Sequence, residues 1–308
     1  MEFVFQFLIL VIGFVMLVRG ADYFVDGAAS IAAKFKIPQL IIGLTVVAMG
    51  TSAPEAAVSI SAAFKGSADI TVGNILGSNI LNVLVILGLS AVICTLTVSK
   101  SVIYVNLPIM IGSSALLLAL GYDGTISHID AIIISACFLG FLAYMIISAI
   151  RSNQSGEDIK EMTVARSVIL TIVGLVLIVL GSRLTVDSAS FIAKKIGLSE
   201  RFIGLTVVAL GTSLPELFTS VTAARKGNAD IAIGNIVGSN IFNILFIVGI
   251  SGIIIPVPYD KEFMFDSLVS LGTSVLLLLL TFRKGELKKW GGILLLMLYV
   301  AYFACILR

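Results

Sequence analysis

Glu55 and Glu216 lie inside stretches that are otherwise apolar enough for a bilayer, and each closes the same phrase, Gly-Thr-Ser-X-Pro-Glu, at Gly50–Glu55 and Gly211–Glu216. An ionised side chain at membrane depth costs about 2.5–3.5 kcal/mol on insertion scales, so it signals function by default. Proline lacks an N–H and clashes with the preceding turn, which breaks a helix interior. Carbonyls freed near Ala48, Thr51, Ala209 and Thr212 then need partners, and unwound backbone of this kind can ligate a cation in a transporter core. Thr51 and Glu55 stand four residues apart, about one helical turn, so both can face one cavity.

A second phrase, Gly-Asn-Ile-X-Gly-Ser-Asn-Ile-X-Asn, follows each Glu at Gly73–Asn82 and Gly234–Asn243. Ser78 with Asn82, and Ser239 with Asn243, share one helix face beside small glycines that permit close approach. Their hydroxyl and amide oxygens would face the Glu-bearing segment, although hydrogen bonding between helices is a competing role for all four. Ser52 and Ser213 have a competing role as caps on freed backbone groups. Asn74 and Asn235 could join the site or hold the broken backbone.

Both phrases belong to one longer duplication. Residues 43–90 and 204–251 align without a gap at a constant offset of 161, with 31 identities in 48 positions. Two matched carboxylates at membrane depth point to one central cation site, built half from each copy. Two such groups repel each other, so the pair needs protons or metal. Two bidentate Glu side chains and two Thr carbonyls would supply roughly six oxygens, which suits Ca²⁺ better than Mg²⁺, an ion that keeps its waters. No His or Cys lies nearby for zinc or copper. An empty site would carry about two negative charges into an occluded, low-dielectric state. Switching should then be easy only when the site is loaded, by Ca²⁺ or by several monovalent cations, and that condition yields exchange rather than leak.

The elements that position these residues follow from hydropathy. The chain of 308 residues is 58% hydrophobic and 12% charged, about half the charge of a soluble domain, so a polytopic all-α membrane protein is expected. Ten apolar segments can be drawn, at 3–33, 38–64, 69–95, 101–121, 129–150, 165–194, 199–225, 230–255, 264–282 and 288–306, each long enough for the ~20 residues of a span. Segments one and six exceed a perpendicular span, which predicts tilt. The only markedly polar connection, 152–164, divides a first five-helix repeat (1–151) from a second (165–308) and leaves no room for a folded soluble domain. Five spans per half is odd, so the second copy must enter the membrane inverted, with its site at the midplane between repeats. Six Lys and Arg lie on the side of the termini and twelve on the other, which places both termini outside and the linker in the cytoplasm.

Other features receive plainer readings. The start of the chain lacks the positive region of a cleaved signal peptide. Net charge of +2 without a basic stripe speaks against nucleic acid as a partner. Cys94, Cys137 and Cys305 read as buried small hydrophobes. Asp26 and Asp187 read as solvated or locally paired, Asp69 and Asp230 as helix N-caps, and His128 as a solvated loop residue.

The paired GTSxPE and GNIxGSNIxN phrases resemble the alpha repeats of the cation/Ca²⁺ exchanger superfamily, in particular the prokaryotic type of sodium/calcium exchanger. The resemblance covers both repeats and, through the ten-segment hydropathy and the short linker, nearly the whole chain. It implies Na⁺ entering for Ca²⁺ leaving, commonly three to one, with no cofactor and no enzymatic activity. The ligands it implies are Glu55 and Glu216, Thr51 and Thr212, Ser52 and Ser213, Ser78 and Ser239, and Asn82 and Asn243, with Ala48 and Ala209 adding carbonyls. Proton/calcium relatives usually carry a Gly-Asn form of the first phrase, so Thr51-Ser52 and Thr212-Ser213 favour Na⁺ over H⁺ coupling. Some prokaryotic relatives carry Asp where this chain has Asn243, an amide that cannot titrate. The large regulatory domain of animal exchangers is missing. H⁺- or K⁺-coupled exchange is the nearest alternative, with a passive cation channel and an intramembrane hydrolase behind it.

Overall fold

The structure, a computed structural model, describes residues 2–66, 68–151, 162–195 and 209–306. Most of the expected linker at 152–164, residues 152–161, and the first residues of the second copy, 204–208, lie outside the described residues. Twelve helices follow in chain order among the described residues. α1 is Glu2–Lys34, α2 spans 39–51, α3 is Ala53–Phe64, α4 spans 69–93, α5 spans 102–120 and α6 is His128–Arg151. α7 is Val164–Lys195, α8 Ala209–Thr212, α9 Leu214–Arg225, α10 spans 229–254, α11 is Lys261–Phe282 and α12 Lys289–Ile306.

Among the described residues, eight helices are long and apolar enough to cross a membrane, and α2 with α3 makes a ninth if the bent pair counts as one span. The bend is 50° and falls at Ser52, one residue before α3 takes Pro54 into its first turn. α9 repeats the arrangement with Ser213 and Pro215. Proline costs nothing in the first turn of a helix, where its missing N–H has no intrahelical acceptor, yet it ends the helix that came before. Each Glu therefore sits in the first turn of a half-helix, where the exposed N–H groups favour negative charge.

α4 and α10 form the centre. Of their most apolar windows 78% and 83% is buried within the protein, against 17% for α1 and 11% for α12. Apolar side chains on the outer helices thus face lipid, and polar ones face inward, because hydrocarbon offers a hydroxyl or amide no partner. The halves interlock. α2 packs on α10, α6 packs on the end of α10, and α12 packs on the end of α4. Each central helix contains one wide π-helical stretch, Asn82–Leu87 in α4 and Asn243–Val248 in α10.

α1 and α7 pair along their length. Gly13 faces Thr185, Gly20 faces Ile178 and Gly27 faces Thr171, so the two helices run antiparallel. A glycine every seven residues keeps one stripe of α1 bare, and Gly174 and Gly181 answer from α7. A Cβ at Gly174 would stand 2.5 Å from the backbone nitrogen of Phe24 and 2.7 Å from the carbonyl oxygen of Gly20. Backbone cannot rotate away as a side chain can, so contact this close requires glycine. Gly174→Ala is expected to lose about 1–3 kcal/mol through overpacking. Gly140→Ala meets nothing within 4 Å and should be neutral or slightly stabilising. Thermal unfolding of the purified protein in detergent compares the two, and equal midpoints would show that α1 and α7 are not held in register by this stripe.

The all-α expectation needs one correction. Two short antiparallel ribbons cap the bundle, β1 (Leu96–Thr97) with β4 (Glu286–Leu287), and β2 (Thr125–Ile126) with β3 (Val257–Pro258). They pair loops from different halves, and two-residue strands leave no periodic trace in sequence. Several lesser expectations change too. Cys137 and Cys305 are exposed on outer helices rather than buried. Asp69 and Asp230 lie inside the first turns of α4 and α10, after Ala68 and Asn228 at the caps. His128 opens α6, and its Nδ1–H donates to the Gly252 carbonyl at 2.9 Å. Asp26 is solvent-exposed as expected, but its partner is Lys226, just past the end of α9, at 2.8 Å, and Asp22 meets the same ammonium at 3.1 Å, so the pairing runs from α1 to another helix rather than to its own end.

Candidate cation site

Glu55 and Glu216 are each 1% exposed. Their hydroxyl partners come from both halves. Ser52 Oγ donates to Glu216 Oε1 at 2.7 Å, and Ser213 Oγ donates to Glu55 Oε1 at 3.2 Å. Ser78 Oγ reaches the same Glu55 oxygen at 3.2 Å and lies 2.9 Å from Ser213 Oγ. The serine that precedes each Pro-Glu therefore crosses to the other copy's carboxylate. Neither serine makes a side-chain cap on its own helix, so the capping role is excluded for both.

In each carboxylate the second oxygen, Glu55 Oε2 and Glu216 Oε2, is buried with no hydrogen-bond partner among the described residues. Asn82 Oδ1 and Asn243 Oδ1 share that condition. Asn82 lies one turn beyond Ser78 and opens the π stretch of α4, and Asn243 opens the matching stretch of α10. Four buried oxygens without a donor are costly by themselves, about 1–3 kcal/mol each for neutral groups and more for charged ones. All four are acceptors, the chemistry a hard cation requires. Among the described residues no cluster of three His, Cys, Asp or Glu exists, so any cation here is held by two carboxylates and neutral oxygens.

Thr51 is fully buried, and its hydroxyl lies 2.9 Å from Asn235 Oδ1 and 3.1 Å from the Val47 carbonyl oxygen. The Ala48 carbonyl accepts the Ser52 N–H at 3.0 Å and the Ser239 hydroxyl at 3.4 Å, so it is already engaged rather than freed by the break. Thr212 ends α8, half-buried, where α8 packs on α4. The Ala209 backbone begins α8, and its side chain lies outside the described residues.

The sequence profile described as "Sodium/calcium exchanger protein" matches residues 5–147 and 166–308. The chain belongs to the sodium/calcium exchanger family. It is 32% identical to the sodium/calcium exchanger MaX1 of Methanosarcina acetivorans, over 96% of this chain and 97% of that one. It is 36% identical to the inner membrane protein YrbG of Escherichia coli K12, over 96% and 95%. Among solved structures it resembles the sodium-calcium exchanger NCX_Mj soaked with Na⁺ and Sr²⁺, with a TM-score of 0.87 at 33% identity, covering 98% of this chain and 99% of that one. Families of exchangers are transporters rather than enzymes, and this member is a multi-pass membrane protein.

Two asparagines that sequence reasoning left out of the site hold this exchanger's halves together. Asn79 Nδ2 donates to the Asn240 carbonyl and Asn240 Nδ2 to the Asn79 carbonyl, both at 3.2 Å. Their Oδ1 atoms then receive the amides of Asn243 and Asn82, both at 2.9 Å. The four amides form a reciprocal set of bonds between the two copies. The available signal was that all four match across the duplication. Asn74 and Asn235 hold broken backbone: their amides reach the carbonyls of Glu55 and Glu216 at 3.4 Å, and Ser59 and Ser220 at 3.0 and 2.9 Å. Thr219 Oγ1, one turn beyond Glu216, is fully buried and has no partner among the described residues. Its counterpart is the exposed Val58, so the duplication gave no hint of it.

Proposed function

We propose that this protein is a secondary antiporter that exchanges Na⁺ for Ca²⁺ at one central site shared by two inverted five-helix repeats. The observation that carries the reading is the pair of buried carboxylates, each with one oxygen held by the other copy's serine and one oxygen without a donor. A dication placed between them would satisfy both free oxygens and cancel both charges. Several Na⁺ ions would do the same, with Asn82 Oδ1, Asn243 Oδ1 and the hydroxyls of Ser78 and Ser239 completing coordination. The Thr51, Thr212 and Ala209 carbonyls stand as further ligands, whereas the Ala48 carbonyl, which already accepts from Ser52 and Ser239, would have to release a donor to join them. Membership of the sodium/calcium exchanger family supports these ions as substrates, and the name of MaX1 agrees.

The repeats take in residues 1–151 and 165–308, joined at 152–164, and the spans number ten when α8 and α9 complete the one whose start lies outside the described residues. The antiparallel α1–α7 pair and the reciprocal asparagines support the inverted relation. Locked together by backbone contact, α1 and α7 would move as one body against the ion-holding helices and expose the site to each side in turn. Both termini face outward and the linker faces the cytoplasm of the cell membrane.

In proteoliposomes loaded with Na⁺, external Ca²⁺ is expected to accumulate when Na⁺ is absent outside. A pH gradient alone, or K⁺ alone, should drive none. Accumulation under either of those gradients would replace the reading with a proton- or potassium-coupled one. Ca²⁺ entry without any counter-ion would make the protein a channel.

A further inference from the structure

The two ribbons are counterparts under the offset of 161 yet carry opposite charge. β1 maps onto β3, and β2 onto β4. They cap opposite ends of α11, whose 22 residues separate β3 from β4 by about 33 Å. Around β2 and β3 stand Asp123, Asp130, Asp260 and Glu262 against Lys261. Around β1 and β4 stand Lys100, Arg283, Lys284, Lys288 and Lys289, all exposed, against Glu286, which pairs with Lys288 at 3.4 Å. One backbone design has thus been given a cationic face at one end only.

The surroundings of the basic ribbon identify what meets it. Trp290 follows Lys289 directly and is 79% exposed. It lies in the first turn of α12, whose Met297 and Val300 are 64% and 68% exposed on the span least covered by protein among the described residues. Tyr104 and Phe282 stack edge to face at 5.8 Å, and they too are exposed, on α5 and α11, within a turn or so of Lys100 and Arg283. Aromatic rings beside cations at the start of a lipid-facing helix mark the headgroup level of a bilayer. A soluble partner would leave that aromatic and aliphatic surface in hydrocarbon uncontacted, whereas a phospholipid covers both parts with one molecule.

We infer that the β1–β4 ribbon is a binding site for anionic phospholipid, with the phosphate held by Lys284, Lys288 and Lys289 and the acyl chains lying along α12 beside Trp290. Each cation near a charged surface contributes about 1 kcal/mol, so three exposed lysines suffice for selection over a zwitterionic headgroup. The acidic counterpart ribbon should repel the same lipid, which confines the preference to one leaflet.

Trp290 is the only tryptophan in the chain, so its fluorescence reports this site alone. The protein is reconstituted in mixtures in which either phosphatidylglycerol or phosphatidylcholine carries brominated, quenching chains. At equal mole fraction, brominated phosphatidylglycerol is expected to bind beside Trp290 at least about threefold more strongly than brominated phosphatidylcholine. The preference should shrink as salt rises and fall to about one in the triple variant K284Q/K288Q/K289Q. Millimolar inorganic phosphate should leave the quenching unchanged, since it brings no chains to the helix. Equal quenching by the two lipids in the unaltered protein would overturn the site without any variant. Preference that persists in the triple variant would overturn the assignment to these lysines.

Discussion

Sodium-driven Ca²⁺ uptake falls by at least about a hundredfold in Glu55→Gln and in Glu216→Gln, while the Ca²⁺-free protein becomes no less stable. Glutamine keeps the size of the side chain and can still accept from Ser52 or Ser213, so the serine bridges survive at 2.7 and 3.2 Å. What disappears is one of the two charges that would face a dication at the proposed site. Leaving a single charge uncancelled at membrane depth costs about 2.5–3.5 kcal/mol, which corresponds to about a hundredfold in affinity. Without Ca²⁺ the sign reverses. Two buried carboxylates with no cation between them are a burden, and removing one relieves it. Thermal unfolding with and without Ca²⁺ separates the two effects. The unaltered protein should gain stability on adding Ca²⁺, and the Gln variants should gain little. Robust uptake in both variants would break the shared site. Loss of uptake with a collapsed Ca²⁺-free midpoint would recast the carboxylates as structural.

The main features of the fold were legible because a membrane writes them in composition. A span must be long and apolar, so segments such as 129–150 and 230–255 agree with α6 and α10 to within a few residues. The broken spans were legible as well, because Pro54 and Pro215 lack an N–H and clash with the preceding turn wherever they stand in a helix interior. The carboxylates stood out against their apolar surroundings. What could not be read is register between helices. Nothing in the pattern of Asn79 says that it meets Asn240 rather than Asn235, since all three are asparagines on small-residue helices. The π stretches at Asn82 and Asn243 were hidden for a related reason. An extra residue in one turn changes no residue type, and it pays only through what the widened turn can reach. Ser52 and Ser213 looked equally suited to a local cap, and the outcome turned on the distance to a carboxylate 164 or 158 positions away.

The reciprocal amides lead to the second large effect. Asn79→Ala and Asn240→Ala are each expected to cut exchange by at least about tenfold, although neither side chain offers a free oxygen to the ion. Asn79 is 1% exposed, and its loss removes the acceptor of Asn243 Nδ2 and the donor to the Asn240 carbonyl. Two buried groups are then unpaired, at about 1–3 kcal/mol each. Polar contacts between membrane helices average less, about 0.6 kcal/mol, because helices separated in lipid find other partners. Within the folded protein the unpaired groups have no water to turn to, since the central windows of α4 and α10 are 78% and 83% buried, so the stability cost is expected between the two figures. The functional loss follows from orientation: with Asn79 gone, the Asn243 amide is free to rotate, and its Oδ1 no longer has a fixed direction. Apparent Ca²⁺ affinity should weaken more than maximal rate. Because both asparagines serve one closed set of bonds, the double variant Asn79→Ala with Asn240→Ala should be well short of additive, by about 1 kcal/mol or more in stability. A purely additive double variant would mean that the two halves are joined at independent points, and the asparagines would then be separate helix contacts with no part in aiming Asn82 and Asn243 at the ion.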